Sequence, residues 1–206
     1  MSNHVFSGSH VEKYHERVVQ QLAEELRARG KPILFPDKQD RHNSQPDISV
    51  EGHIAVEVKI LNPTKEDFAI NERAKLALSQ GEPAQWGGTL NSAPLQEDME
   101  SAVKKFKGRS ETYRLVVFAS PLEFQMSKHR LEPLLKGVTQ LIFRLPSGDI
   151  IKSKQINVPV TKRASSVING ILLMHGEDLH LRHLFIIGGE QNADVESLAQ
   201  TISKLF

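Results

Sequence analysis

Apolar residues recur at helical spacing over residues 10–29, which is the clearest periodic stretch of the chain. Side chains three or four positions apart share one face of a helix. The apolar members of this stretch are Val11, Tyr14, Val18, Leu22 and Leu26. Gly30 follows them directly, and glycine commonly ends a helix. The pattern predicts a first helix with one buried face.

Residues 48–60 show the alternation of apolar and polar positions that is typical of strands. Ile48 and Val50 can share a buried face with Ile54 and Val56 only if the loop between them has an odd number of residues, because side chains alternate along a strand. The simplest such loop is residues 51–53, whose central glycine suits a turn. The sequence therefore predicts a hairpin in which Val50 pairs with Ile54.

Helical and extended patterns alternate through most of the chain. Further helices are predicted at residues 65–79, 95–106, 128–135 and 193–205, and further strands at 33–35, 113–119, 140–145, 150–158 and 184–187. Residues 62–94 are rich in Pro, Gly, Gln and charge, which favours an insertion. We expect one α/β domain over residues 1–206, with a mixed central sheet flanked by helices and extra α/β elements at 138–206.

Composition narrows the classes of protein that fit. The chain has 206 residues, of which 39% are hydrophobic, as in an ordinary globular domain. No apolar run approaches the roughly 18 residues of a membrane helix, and residues 1–10 lack the features of a secretory signal, so we expect a cytoplasmic protein with no membrane partner. The absence of cysteine excludes disulfides, thiolate zinc sites and cysteine nucleophiles.

Positive charge is concentrated in one region. Residues 101–165 hold 13 Lys and Arg against 4 Asp and Glu, a balance of +9, so the rest of the chain carries −8. Such clusters can neutralise phosphates. The residues that we expect to bind nucleic acid are Lys104, Lys105, Lys107, Arg109, Lys128 and Arg130. The alternative interpretation is a solvated lysine-rich face.

The predicted hairpin brings two acids together. Its register, continued past Ile48, places Asp47 opposite Glu57, with Cβ atoms roughly 5 Å apart. Like charges this close destabilise a sheet unless a cation lies between them, and a hard divalent ion held by carboxylate oxygens would do so. Lys59 follows on the same face as Glu57. The alternative is an exposed hairpin face on which all three side chains are solvated.

These residues resemble the motifs of the PD-(D/E)xK phosphodiesterases, the restriction-endonuclease-like superfamily. Pro46-Asp47 is similar to the first motif, and Glu57-Val58-Lys59, the one acid-x-Lys triplet of the sequence, is similar to the second. The resemblance implies a restriction-endonuclease-like core and a site for Mg²⁺, with Mn²⁺ as a substitute. It implies that Asp47, Glu57 and the Val58 carbonyl bind the metal and that Lys59 positions or activates the attacking water.

Many members of that superfamily add a carboxylate from the first helix. Glu16 lies at the edge of the apolar stripe, in a run that is similar to the family's pattern, and Glu12 is the rival one turn earlier. Either residue is otherwise an ordinary solvated helix acid.

The function expected from this resemblance is Mg²⁺-dependent hydrolysis of DNA. The insertion and the C-terminal elements favour a restriction enzyme, while repair and junction-resolving nucleases stay open. A homodimer would suit the cutting of two strands, although no interface pattern identifies one. The alternative class is a nuclease-like protein that binds nucleic acid or a partner without cleavage, and such a protein is expected to lose one of Asp47, Glu57 and Lys59.

Overall fold

The computed structural model describes residues 4–36, 45–50, 53–83, 93–122, 140–144, 150–154, 167–176, 179 and 181–186. Its helices are α1 (Gly8–Ala28), α2 (Lys65–Ser79) and α3 (Ala93–Phe106). Its strands are β1 (Ile33–Leu34), β2 (Ile48–Val50), β3 (Ile54–Ile60), β4 (Tyr113–Ser120), β5 (Gln140–Arg144), β6 (Ile150–Lys154), β7 (Gly170–His175) and β8 (Leu181–Ile186).

Six of the strands form one mixed sheet in the order β1-β2-β3-β4-β7-β8. The pairs β3–β4 and β4–β7 are parallel, and the pairs towards both edges are antiparallel. Parallel neighbours need a crossover connection, and α2 and α3 lie in the connection between β3 and β4. The predicted α/β class with a mixed sheet flanked by helices is confirmed. β5 and β6 form a separate antiparallel pair.

The sheet is covered by a helix on each face. On one face α1 contributes Val18, Leu22 and Leu26 to a core that includes Val56, Val58, Leu115 and Val117. On the other face α3 contributes Leu95, Met99, Ala102 and Phe106 to a core that includes Ala55, Val116 and Phe118. Successive residues of β4 thus alternate between the two cores, as strand geometry requires. The result is a layer of sheet between two layers of helix.

The hairpin forms as its pattern predicts. Val50 pairs with Ile54, Ile48 pairs with Val56, and the His53 amide donates to the Val50 carbonyl at 2.9 Å across the turn. The predicted register is therefore confirmed. It puts Ile48, Val50, Ile54 and Val56 together in the core beside α1, so the alternate positions of β3 face α3.

Local signals explain where two helices begin or end. α1 ends just before Gly30, whose φ of 72° is a left-handed conformation that glycine adopts easily. α2 has the bounds that the sequence predicts, and it begins with a capping box in which Thr64 and Asp67 bond each other's backbone amides. The helices predicted at 128–135 and 193–205 lie outside the described residues.

One central strand was not predicted from the sequence. β7 is buried along its whole length and pairs with β4 on one side and β8 on the other. A strand that is covered on both faces has no polar alternation to reveal it. Among the residues described, none belongs to a helix long and apolar enough to cross a membrane.

The packing of α1 on the sheet gives a stability test. Leu22 is fully buried, so Leu22→Ala should lower the free energy of unfolding by about 2 to 5 kcal/mol in urea denaturation. Leu78→Ala is the matched control, because Leu78 is 51% exposed on α2, and it should change stability by less than about 0.5 kcal/mol. Equal effects of the two changes would contradict the described packing.

Candidate active site

Asp47 lies at the end of β2, where it continues the hairpin by means of its side chain. Its Oδ2 accepts a hydrogen bond of 2.7 Å from the Val58 amide. Because Ile48 pairs with Val56, Asp47 stands opposite Glu57 in the same register. The backbone of β3 therefore fixes the first acid of the motif next to the second, and Asp47 is almost fully buried.

Glu57 is a carboxylate in an apolar layer. It is 1% exposed, and its neighbours across the sheet are Val116 and Ile171, which are both fully buried. Burial raises the pKa of Glu57, and the nearby charge of Asp47 raises it further, while Lys59 and Lys105 oppose the increase. A charge in such surroundings needs close partners of opposite sign.

Two lysines supply those partners, and both contact the same oxygen. Lys59 Nζ lies 2.9 Å and Lys105 Nζ lies 3.0 Å from Glu57 Oε1. Glu57 Oε2 is buried and has no hydrogen-bond partner within the described part of the chain. A buried oxygen without a partner is costly. One half of the carboxylate is thus neutralised, while the other half is left for a further cation or donor.

Lys59 is held from α3 as well as from its own strand. Its ammonium donates to Ser101 Oγ at 3.2 Å. Asp98, one turn before Ser101, is near enough to Lys59 for the lysine to oppose the rise in the Asp98 pKa that burial causes. Asp98, Ser101 and Lys105 are three and four positions apart, so one face of α3 lies over the polar face of β3.

The residue of α1 that reaches the acids is His15. Its Nε2 lies 3.4 Å from Asp47 Oδ2, and the side chain is about one-third exposed. The hydrogen bond with Asp47 raises the pKa of His15, and burial opposes this rise. Burial alone would raise the pKa of Asp47, but the hydrogen bonds from His15 and the Val58 amide outweigh it and hold that pKa below its ordinary value.

The predicted helix acids lie elsewhere on α1. Glu16 and Glu12 are both exposed, and neither makes a contact with Asp47 or Glu57 in the described structure. The catalytic role expected of Glu16 as the helix carboxylate, with Glu12 as its rival, stays a prediction. His15 has taken the position on α1 that was expected to carry a carboxylate.

The predicted basic residues divide into three groups. Lys104 and Lys107 are exposed and face solvent. Lys105 belongs to the acid cluster, and Arg109 is paired with Glu111, to which its Nε donates at 3.0 Å, and with Gln45 at 2.8 Å. Lys128 and Arg130 lie outside the described residues. The phosphate-binding role of these residues remains a prediction.

The structure thus brings Asp47, Glu57 and Lys59 together, as the hairpin register predicts. Sequence reasoning missed His15 and Ser101, and it assigned Lys105 only to a general basic surface. Lys105 stands next to Phe106 at the border of the buried stripe of α3, but no local signal distinguishes it from Lys104. Only the packing of α3 on β3 decides which lysine enters the site.

Comparisons with protein families, curated proteins and solved structures found no match to this chain. Within the described ranges, no group of three or more His, Cys, Asp or Glu side chains is arranged to hold a metal ion. The two carboxylates that lie close to each other in the site are Asp47 and Glu57.

The contact between His15 and Asp47 can be tested by titration. The C–H proton signals of His15 in NMR spectra should report a pKa above 6.5, and Asp47→Asn should lower it. Because the folded-state pKa of His15 is raised, the pair stabilises the fold fully at pH values below 6.5 at which Asp47 is still ionised, and this stabilisation is lost as pH rises through the folded-state pKa of His15. An unchanged His15 titration in the Asp47→Asn variant would contradict the contact.

Proposed function

We propose that this chain is a divalent-metal-dependent deoxyribonuclease that hydrolyses phosphodiester bonds in DNA, with Asp47, Glu57 and Lys59 in the roles of the PD-(D/E)xK motif. The observation that carries the proposal is the buried Glu57 Oε2, which has no hydrogen-bond partner among the described residues and belongs to a carboxylate opposite Asp47. A cation bound there would satisfy an oxygen that has no partner within the described part of the chain.

The donor set fits Mg²⁺, with Mn²⁺ as a substitute. Magnesium commonly takes one or two carboxylates from a protein and keeps several waters, so two acids suffice. Asp47 and Glu57 would hold the ion, assisted by the Val58 carbonyl. Both described contacts of Asp47 use Oδ2, and neither occupies Oδ1. When bound, the ion would supply Lewis-acid stabilisation of the negative charge that develops on the phosphate.

The protein side chains have separate tasks in this proposal. Lys59 is fixed by Glu57 and Ser101, so its ammonium is pre-positioned to orient a water or a phosphate oxygen. Val58 and His15 hold Asp47 in place. Lys104 and Lys107 are exposed on the α3 side and would contact the DNA backbone, which gives affinity without base recognition.

Within this class a restriction enzyme is the proposed subtype, and repair and junction-resolving nucleases remain the alternatives. The proposal also includes a cytoplasmic location. It includes a homodimer as well, because two active sites would cut the two strands of DNA. The competing function is nucleic-acid or partner binding without cleavage. The cluster of Asp47, Glu57 and Lys59 argues against it, because a protein that only binds has no need for two facing acids beside a lysine.

Cleavage assays test the proposal. The purified protein is incubated with supercoiled, linear and branched DNA and with a random-sequence library, in Mg²⁺ or in EDTA. We expect cutting that EDTA abolishes and that Lys59→Met slows on the order of 100-fold or more. Lys31→Met is the matched control, because Lys31 is an exposed lysine beyond α1, and it should cut at the normal rate.

Cutting that persists in EDTA or at full rate in Lys59→Met would overturn the proposed site. DNA binding without cleavage of any substrate, including the library, would favour the binding protein. Thermal melting of each variant shows whether a loss of cutting comes from a loss of folding.

A further inference from the structure

Two lysines, Lys59 and Lys105, contact the Glu57 carboxylate, although a single lysine would be enough to pair with its charge. Glu57 Oε1 already receives Lys59 at 2.9 Å, and Lys105 approaches the same oxygen at 3.0 Å. Bringing an ammonium into a partly buried position costs free energy of desolvation. Lys105 is only 20% exposed, and its neighbour Lys104 remains in solvent. A lysine that serves only solubility would stay outside as Lys104 does.

The charges of the cluster suggest what the second lysine is for. When ionised, Asp47, Glu57 and the neighbouring Asp98 carry three negative charges, and Lys59 and Lys105 carry two positive ones, so the two lysines offset most of the acidic charge in the free protein. A divalent cation would leave the cluster with one positive charge in excess. That excess matches an anionic ligand such as a phosphodiester, and a bound cation would repel the ammonium groups that contact Glu57.

The two lysines reach Glu57 from different elements of the fold. Lys59 has Ser101 as a second acceptor, so it stays in place if Glu57 turns to another cation. Lys105 comes from the last turn of α3, a different element from the hairpin, and its flexible stem can carry the ammonium a few ångströms. Its charge acts on both carboxylates, since it opposes the effect of burial on the pKa of Asp47 and of Glu57.

Building on the proposed function, we propose that Lys105 is a second catalytic lysine, which balances Glu57 in the free protein and contacts the scissile phosphate once a divalent cation occupies the acids. Lys105 thereby couples metal binding to substrate binding. No bond to Lys105 forms or breaks, because the ammonium acts through charge and hydrogen bonds alone.

The test separates catalysis from metal binding. Single-turnover cleavage with saturating DNA and Mg²⁺ should be on the order of 100-fold slower in Lys105→Met, the loss typical for removal of one donor to a charged transition state. Binding of Mn²⁺ without DNA, followed by electron paramagnetic resonance of the free ion, should become about tenfold tighter, because the repelling ammonium is gone. Lys31→Met is again the matched control and should alter neither quantity.

A second uncharged variant at position 105 keeps the test valid if Lys105→Met does not fold. Lys105→Gln keeps a donor that can reach Glu57, and it should show the same two changes. Full-rate cleavage by a folded Lys105 variant, or weaker Mn²⁺ binding, would overturn the inference, since a purely structural lysine would leave chemistry intact or loosen the acids. If the wild type cuts DNA and Lys59→Met does not, then full-rate cleavage or weaker Mn²⁺ binding by the Lys105 variants rejects only the role of Lys105. If wild type cuts no DNA, the proposed function falls and this inference falls with it.

Discussion

The burial of the Glu57 carboxylate is the constraint on which the rest of the site depends. Glu57 lies beside the apolar strand β4, next to Asp47 and beneath α3, where an isolated charge would cost several kcal/mol. Lys59 and Lys105 offset that cost only because a strand and a helix meet at this point. The ionisation of Glu57 therefore depends on the placement of α3 against the sheet.

The same arrangement explains why the site lies at an edge of the core. On the face of the sheet that packs against α1, the side chains of β3 are apolar along the strand. On the face towards α3, they change from apolar at Ala55 to charged at Glu57. Asp47 meets this boundary from the end of β2, where its side chain bonds the backbone of β3 in place of a strand neighbour. Rigid strands thus hold both acids, and helices supply the groups around them.

A site with this construction is pre-organised, yet one oxygen of the Glu57 carboxylate has no hydrogen-bond partner in the described ranges. Structural ion pairs usually satisfy every oxygen, because an unpaired buried acceptor destabilises the fold. Because Oε2 of Glu57 has no partner among the residues that the structure describes, it is a local cost that a bound cation would remove. Such costs concentrate at functional sites, and this reasoning links the stability of the chain to its proposed chemistry.

The sequence by itself determined the hairpin and the facing acids. Alternation along residues 48–60 fixes which side chains share a face, so the register of Val50 with Ile54 and the meeting of Asp47 with Glu57 follow from local geometry. The helix bounds of α2 were predictable for the same reason, because a capping box is local.

Only the tertiary structure decided the remainder. β7 lacks alternation because both of its faces are covered, which no local pattern reveals. His15 rather than Glu16 meets Asp47, and Lys105 rather than Lys104 meets Glu57, because a rotation of one residue about a helix axis moves a side chain by about 100°. That rotation is set by how α1 and α3 pack against the sheet, and packing depends on residues far apart in the chain.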